Sequence, residues 1–222
     1  MRAIGPSLPV TGALADPILE LHGPGAFVTI TNDNWRSDQQ AEIMATGIPP
    51  TNDLESAIVA TLPANNSAYT ATVRGANNET GVGLVEVYDL DRTADSKLAN
   101  ISTRGQVLTG DNVMIAGMIV LGGGTQRVIV RAIGPSLTVP GKLADPTLEV
   151  RDGNGSLIHA NDNWRSDQEA EIIATGIPPT NDLESALIAT LPAGEARYTA
   201  TVRGVNGTTG VALVEIYALA PP

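Results

Sequence analysis

The sequence predicts an all-β chain, two tandem β-sandwich domains joined by a β-hairpin connector. Residues 2–91 recur without a gap at residues 131–220, every landmark is displaced by 129 positions, and 60 of 90 aligned positions are identical. Within each copy, short apolar or alternating runs are bounded by Gly, Pro, Asn and Asp, the punctuation of strands and turns. Helical periodicity is almost absent. A repeat of this length fixes the architecture first, and near-copies in tandem suit a scaffold, array or fibre better than one asymmetric catalytic site.

The order is body (1–91), connector (92–130), body (131–222). In the second body, Thr147 to Arg151 and Ser156 to Ala160 flank Asp152-Gly153-Asn154-Gly155, a sequence that favours positive φ and a hairpin; the first copy has Gly23-Pro24-Gly25 there. Ser37 to Thr46 is the one helical candidate, with Ser37 and Gln40 as a capping box and Gly47 as C-cap. Leu183 to Leu191 and Val211 to Leu219 read as strands. Between them Tyr198, Ala200 and Val202 alternate with Thr199, Thr201 and Arg203, the period of a half-buried strand. In the connector, Asn112 to Leu121 and Gln126 to Val130 are apolar runs joined by Gly122-Gly123-Gly124-Thr125, which reads as a hairpin. The first body has no such hairpin ahead of it, and Met1 occupies the column of Val130, so the chain is expected to begin mid-repeat, as a processed or truncated product would.

Composition excludes several classes of function. With 13 Lys+Arg against 24 Asp+Glu, the net charge of −11 opposes binding to nucleic acid or an anionic membrane. The longest apolar run, Val113 to Leu121, is too short to span a bilayer as a helix, so no membrane insertion is expected. Cysteine is absent, which removes disulfides and thiol chemistry. No signal-peptide pattern opens the chain, because Gly5 and Pro6 interrupt any apolar stretch.

The strings ADPTLEVRDGNGSLIHANDNW, LPAGEARYTATVRG and GVALVEIY resemble the bacterial pre-peptidase C-terminal domain, a secreted jelly-roll β-sandwich, over residues 144–217 and more weakly 15–88. With LANISTRG, GDNVMIAGMIVLGGG, RAIGPSL and PPTNDLESA, the whole unit also resembles a tandem repeat of uncharacterised secreted or surface proteins of environmental bacteria. The resemblance implies a jelly-roll-like sandwich in each body and an extracellular or cell-surface location. Some relatives of the domain bind calcium and collagen. Calcium ligation would carry over to the turns Asn32-Asp33-Asn34 and Asn161-Asp162-Asn163.

No cofactor is required by anything in the sequence, and Ca²⁺ is the one metal it suggests. Asp33, Asn34, Asp38, Asp53 and Glu55, with Asp162, Asn163, Asp167, Asp182 and Glu184, make one oxygen-rich set per body of the kind a hard cation needs. The spacing matches no EF-hand, and the same residues equally suit Asx-turns and caps. Catalysis is not expected: His22 and His159 are the only histidines and neither recurs in the other copy, so no nucleophile–base pair repeats. Trp35 and Trp164 either stack on a sugar or partner chain or close the end of the core. Glycans would attach at the sequons of Asn65, Asn78, Asn100, Asn154 and Asn206.

Val113, Ile115, Ile119, Leu121, Val128 and Val130 form an apolar block expected to be buried in one body or exchanged between chains. One connector serves two bodies, which leaves a strand edge open. Open edges invite pairing with another chain, so the expected function is a structural subunit of an extracellular filament or surface array. Its partners would be copies of itself, joined head-to-tail. The alternative is a secreted accessory module that binds carbohydrate or matrix protein.

Overall fold

The computed structural model describes residues 1–64, 66–91, 93, 98–194 and 196–220. These fall into two compact units, Met1–Lys97 and Leu98–Pro222.

Unit 1 contains β1 (Arg2–Ile4), β2 (Pro17–His22), β3 (Ile30–Asn32), the helix α1 (Gln40–Ala45), β4 (Ser56–Ala57), β5 (Thr70–Gly75) and β6 (Leu84–Glu86). Two antiparallel sheets form, in the orders β4-β1-β6 and β3-β2-β5. Unit 2 contains β7 (Asn100–Val107), β8 (Met114–Val120), β9 (Thr125–Ile133), β10 (Pro146–Asp152), β11 (Leu157–Asn161), α2 (Glu169–Ala174), β12 (Ser185–Pro192), β13 (Ala196–Gly204) and β14 (Gly210–Ala218). Its sheets run β12-β9-β14-β7 and β11-β10-β13-β8. Numbered along the unit, the strands stand in the orders 6-3-8-1 and 5-4-7-2, those of a jelly roll.

The core of unit 2 lies between these sheets. Leu148, Val150, Tyr198, Ala200 and Val202 on one sheet meet Val128, Val130, Leu187, Leu191, Val214 and Ile216 on the other. The alternation in the sequence produces this: β10 buries Pro146, Leu148 and Val150 while Thr147 and Glu149 lie closer to solvent. A second cluster, Ile129, Trp164, Ile172, Ala186 and Ile188, packs α2 onto the outer face of β9 and β12. Unit 1 repeats the plan with Ala3, Leu19, Leu21 and Ile58 in one cluster and Trp35, Ile43 and Ala57 in the other.

The predicted hairpin around Asp152 is present, with β10 and β11 antiparallel. Gly155 takes φ +81° and Asp152 Oδ1 accepts from the amides of Asn154 and Ser156, both at 2.9 Å. Two other glycines are held by close approach. A Cβ on Gly134 would fall 2.3 Å from the Leu143 carbonyl oxygen, and one on Gly210 would fall 2.6 Å from the Leu143 nitrogen, so the Leu143 loop is clamped where no side chain fits.

Three expectations need correction. The capping box at Ser37 does not form: its hydroxyl donates to the Asn34 carbonyl, and the residue before the helix is Gln39, in the left-handed region at φ 53°. The two apolar runs of the connector are not a hairpin with each other, since β8 pairs with β13 while β9 pairs with β12 and β14 in the opposite sheet. The Gly122–Gly124 segment is thus a crossover between sheets. The connector's apolar block also divides. Val128 and Val130 are buried, Val113 is half-buried, but Ile115 and Ile119 are 55% and 53% exposed and Leu121 also faces solvent. Period-two alternation turns Met114, Ala116, Met118 and Val120 inward instead.

Candidate functional site

The proposed oxygen ligands are committed locally. Glu55 and Glu184 are fully buried. Glu184 accepts from the amides of Gly134 (3.2 Å), Ser136 (2.9 Å) and Asn181 (3.3 Å) and from the Ser136 hydroxyl. Glu55 makes the same set with Gly5, Ser7 and Asn52. Burial pushes the Glu55 carboxyl up, but the hydrogen bonds from Ser7, Asn52 and Gly5 outweigh it and hold the group below its ordinary pKa. The sequence RAIGPSL and the loop before Glu55 are therefore tied together by one carboxylate.

Asp53 and Asp182 are exposed and bind the guanidinium groups of Arg36 (2.6 Å) and Arg165 (2.7 Å). Those arginines in turn lie over the Trp35 and Trp164 rings, each at 4.1 Å from the centroid. Both indoles are buried, each donating its N–H to a backbone carbonyl, of Asn52 and Asn181. The tryptophans thus close the core and do not present a stacking face. Asp38 accepts from the Gln39 amide, and Asp167 lies 3.0 Å from His159 Nε2. His22 lies beside Glu20 and Thr29.

In the NDN turns, Asn34 and Asn163 offer their carbonyls to Ser37 and Ser166. The Asp33 and Asp162 side chains are exposed, while their carbonyls receive the hydroxyls of Ser56 and Ser185. Desolvation, with Asp33 and Glu79 nearby, pushes the Asp16 carboxyl up; desolvation and Asp162 do the same to Asp145. Among the described residues no group of three or more His, Asp or Glu side chains is arranged to hold a metal ion. Asn78, Asn100, Asn154 and Asn206 are exposed; Asn65 lies outside the described residues.

A different surface distinguishes the two units. In unit 2, β8 lies along β13 from Met114↔Val202 to Val120↔Ala196, and β7 lies along β14 from Val107↔Gly210 to Asn100↔Tyr217. In unit 1 the corresponding strands β5 and β6 are the last in their sheets. Ala200, Val202 and Leu191 are fully buried and Val214 nearly so, whereas Ala71, Val73, Leu62 and Val85, identical in type, are only half-buried. Val87 is 38% exposed where Ile216 is 6%. Same residues, different cover: unit 1 shows the inside of a sandwich at the edge that β7 and β8 close in unit 2.

Sequence reasoning missed one feature of the opposite edge. β12 is the last strand on the other side of its sheet, and there Gln168 presents its side-chain amide to the backbone of Ile188. Nε2 donates to the Ile188 carbonyl at 3.0 Å and Oε1 accepts from the Ile188 amide at 2.8 Å. Gln39 does the same with Val59. The left-handed φ of 55° at Gln168 costs about 1–2 kcal/mol, and the two hydrogen bonds offset it. One glutamine thus replaces a neighbouring strand for one residue, a device that blunts an edge. Its only sequence signal is recurrence at the same column of both copies.

No protein-family profile matches the chain, and no curated protein matches it. Among solved structures, the pre-peptidase C-terminal domain of collagenase from Bacillus anthracis is similar over 53% of this chain and 89% of that one, at 10% identity and a TM-score of 0.33. The VP2 subviral particle of infectious bursal disease virus is similar over 98% of this chain and 55% of that one, at 10% identity and a TM-score of 0.22.

Proposed function

We propose that the chain is a structural subunit of an extracellular filament or surface array, built by head-to-tail pairing of strand edges between copies. The observation that supports this reading is the uncovered interior of unit 1, where Val73, Val85 and Val87 stand without the strands that bury their counterparts in unit 2. Exposed interior of this kind favours association, and a contact between two different surfaces of the same chain extends without closing. The acidic balance and the absence of cysteine fit an extracellular bacterial setting.

Negative-stain imaging and sedimentation of the purified chain across a hundredfold concentration range test the reading. Filaments or sheets that lengthen with concentration are expected. A monodisperse monomer at every concentration sinks the proposal.

A further inference from the structure

We propose that β7 is a releasable strap: tension between the two chain segments that flank unit 2 peels β7 from β14, from Asn100 as far as Val107, while the other seven strands of the unit stay folded. Only unit 2 is involved, so the outcome is independent of whether copies assemble.

The register sets the geometry of loading. β7 and β14 are antiparallel neighbours, and their eight pairs run from Asn100↔Tyr217 to Val107↔Gly210. The chain therefore enters β7 and leaves β14 at the same end of one strand pair. The hydrogen bonds of an antiparallel pair lie perpendicular to the strands. A pull between entry and exit acts across the ladder, so the pairs open one after another and each carries the load alone. A pull along the strands has to break all eight together.

The two loaded strands are held unequally. β7 is the last strand of its sheet, whereas β14 lies between β9 and β7. Just past β14 the Leu219 amide donates to the Arg127 carbonyl at 2.8 Å, and Gln126 Nε2 donates to the Leu219 carbonyl at 3.0 Å. The exit is thus anchored to β9 as well as to β7, and the entry strand is the one that yields. On β7, Ile101, Thr103, Gly105 and Val107 stand opposite Ile216, Val214, Ala212 and Gly210 and share their inward face. Ile101 is already 38% exposed, Thr103 and Gly105 bring no large apolar side chain, and Val107 is fully buried in the same core cluster as Met114. Cohesion rises along the strand away from the loaded end, and peeling halts at Val107.

Release has a definite length. The freed segment Asn100–Val107 extends to about 26–29 Å, and the point of attachment on the folded remainder moves from the Tyr217 end of β14 to the Gly210 end, about 24 Å. Less the initial separation of about 5 Å across the pair, the gain is about 45 Å. Complete unfolding would free roughly 120 residues and about 400 Å. A unit that yields in this way takes up extension while its core stays closed.

The chain contains no cysteine, so pulling handles can be attached at introduced ones. In the full chain, Leu98→Cys/Ala220→Cys loads entry and exit, and Leu108→Cys/Ala220→Cys loads opposite ends of β7 and β14, along the strands. All three positions are exposed, and unit 1 lies outside the load path in both. Optical-tweezers extension of the first variant should show a separate early step of about 45 Å before the unit unfolds. The second should lack that step and first yield at a force at least about twofold higher, because eight pairs share the load. A single event in the first variant, or equal first-yield forces in the two, overturns the inference. Where either variant fails to melt cooperatively, hydrogen exchange of the unsubstituted chain without load decides. Exchange in β7 about tenfold or more faster than in β12, the other edge strand of the same sheet, supports a separately opening strap; equal protection overturns it.

Discussion

Placing a copy of residues 98–130 directly ahead of Arg2 should convert unit 1 into a full eight-stranded sandwich. Val130 stands in the column of Met1, so the added chain runs into β1 as β9 does in unit 2. Four large side chains, Leu62, Val73, Val85 and Val87, would pass from partial to near-complete burial, as their counterparts Leu191, Val202, Val214 and Ile216 show. Full burial of such a side chain is worth about 1.5–3 kcal/mol, and about a third of it at most remains to be gained at each position, giving about 2–4 kcal/mol. The added segment also loses conformational entropy on ordering; inward residues equivalent to Val107, Met114 and Met118 offset that loss as they do in unit 2. At about 4–8 °C per kcal/mol for a domain of this size, the unit 1 transition should rise by roughly 8 °C or more. Differential scanning calorimetry gives the transitions, and hydrogen exchange of peptides covering β5 and β6 assigns them. A unit 1 transition that moves by less than about 4 °C, with unchanged exchange in β5, refutes the claim that β7 and β8 are what unit 1 is missing.

The buried carboxylates offer a second test: Glu184→Gln turns an acceptor facing several amides into a group with a donor among them, and should destabilise unit 2 by about 1–3 kcal/mol in urea denaturation. Gln168→Ala removes both hydrogen bonds to Ile188 while keeping a side chain at positive φ; a loss of about 1–2 kcal/mol is expected, and Gln168→Gly should lose less because the φ cost disappears. Acid titration should act on unit 1 in two opposed steps. The raised Asp16 carboxyl is protonated first on acidification, which relieves a cost and slightly stabilises the fold. The stability supplied by Glu55 is fully present above its unfolded pKa, near 4.3, and is lost as pH falls through its lower folded value. Finally, excess chelator at pH 7 should leave both transitions within about 1 °C, since Glu55, Asp53 and their counterparts are occupied by protein donors; a larger drop would support calcium binding.

Much of the fold was legible because repetition and alternation are visible in the chain itself. The β10–β11 hairpin and the inward set Tyr198, Ala200 and Val202 follow from turn residues and a period of two. The pairing of β8 and β9 is hidden in the sequence because a glycine run between apolar strands describes a hairpin and a sheet-to-sheet crossover equally well; only the positions of β13 and β12 decide. The outward direction of Ile115 and Ile119 is hidden for a related reason. Met-Ile-Ala-Gly-Met-Ile-Val is apolar on both faces, so composition hides which half of the alternation points inward. The acidic residues carried the opposite ambiguity, since the same Asp, Asn and Glu suit a cation or a backbone amide. Nothing in the sequence marks Glu184 as buried, because three of the four donors that hold it come from Gly134 and Ser136, 48 to 50 positions away.

The tip between β10 and β11 has a bearing on identity. Over residues 21–31 and 150–160 no aligned position matches, the longest such stretch in two copies otherwise alike. In one copy the tip is an Asp-Gly-Asn-Gly turn pinned by Asp152; in the other it is a Gly-Pro-Gly loop carrying Phe27 against Tyr69, at 5.7 Å between ring centroids. An antibody or any other molecule that must tell the first repeat from the second would find its most distinctive epitope there. Antibodies raised against residues 151–160 should accordingly bind the second repeat and ignore the first.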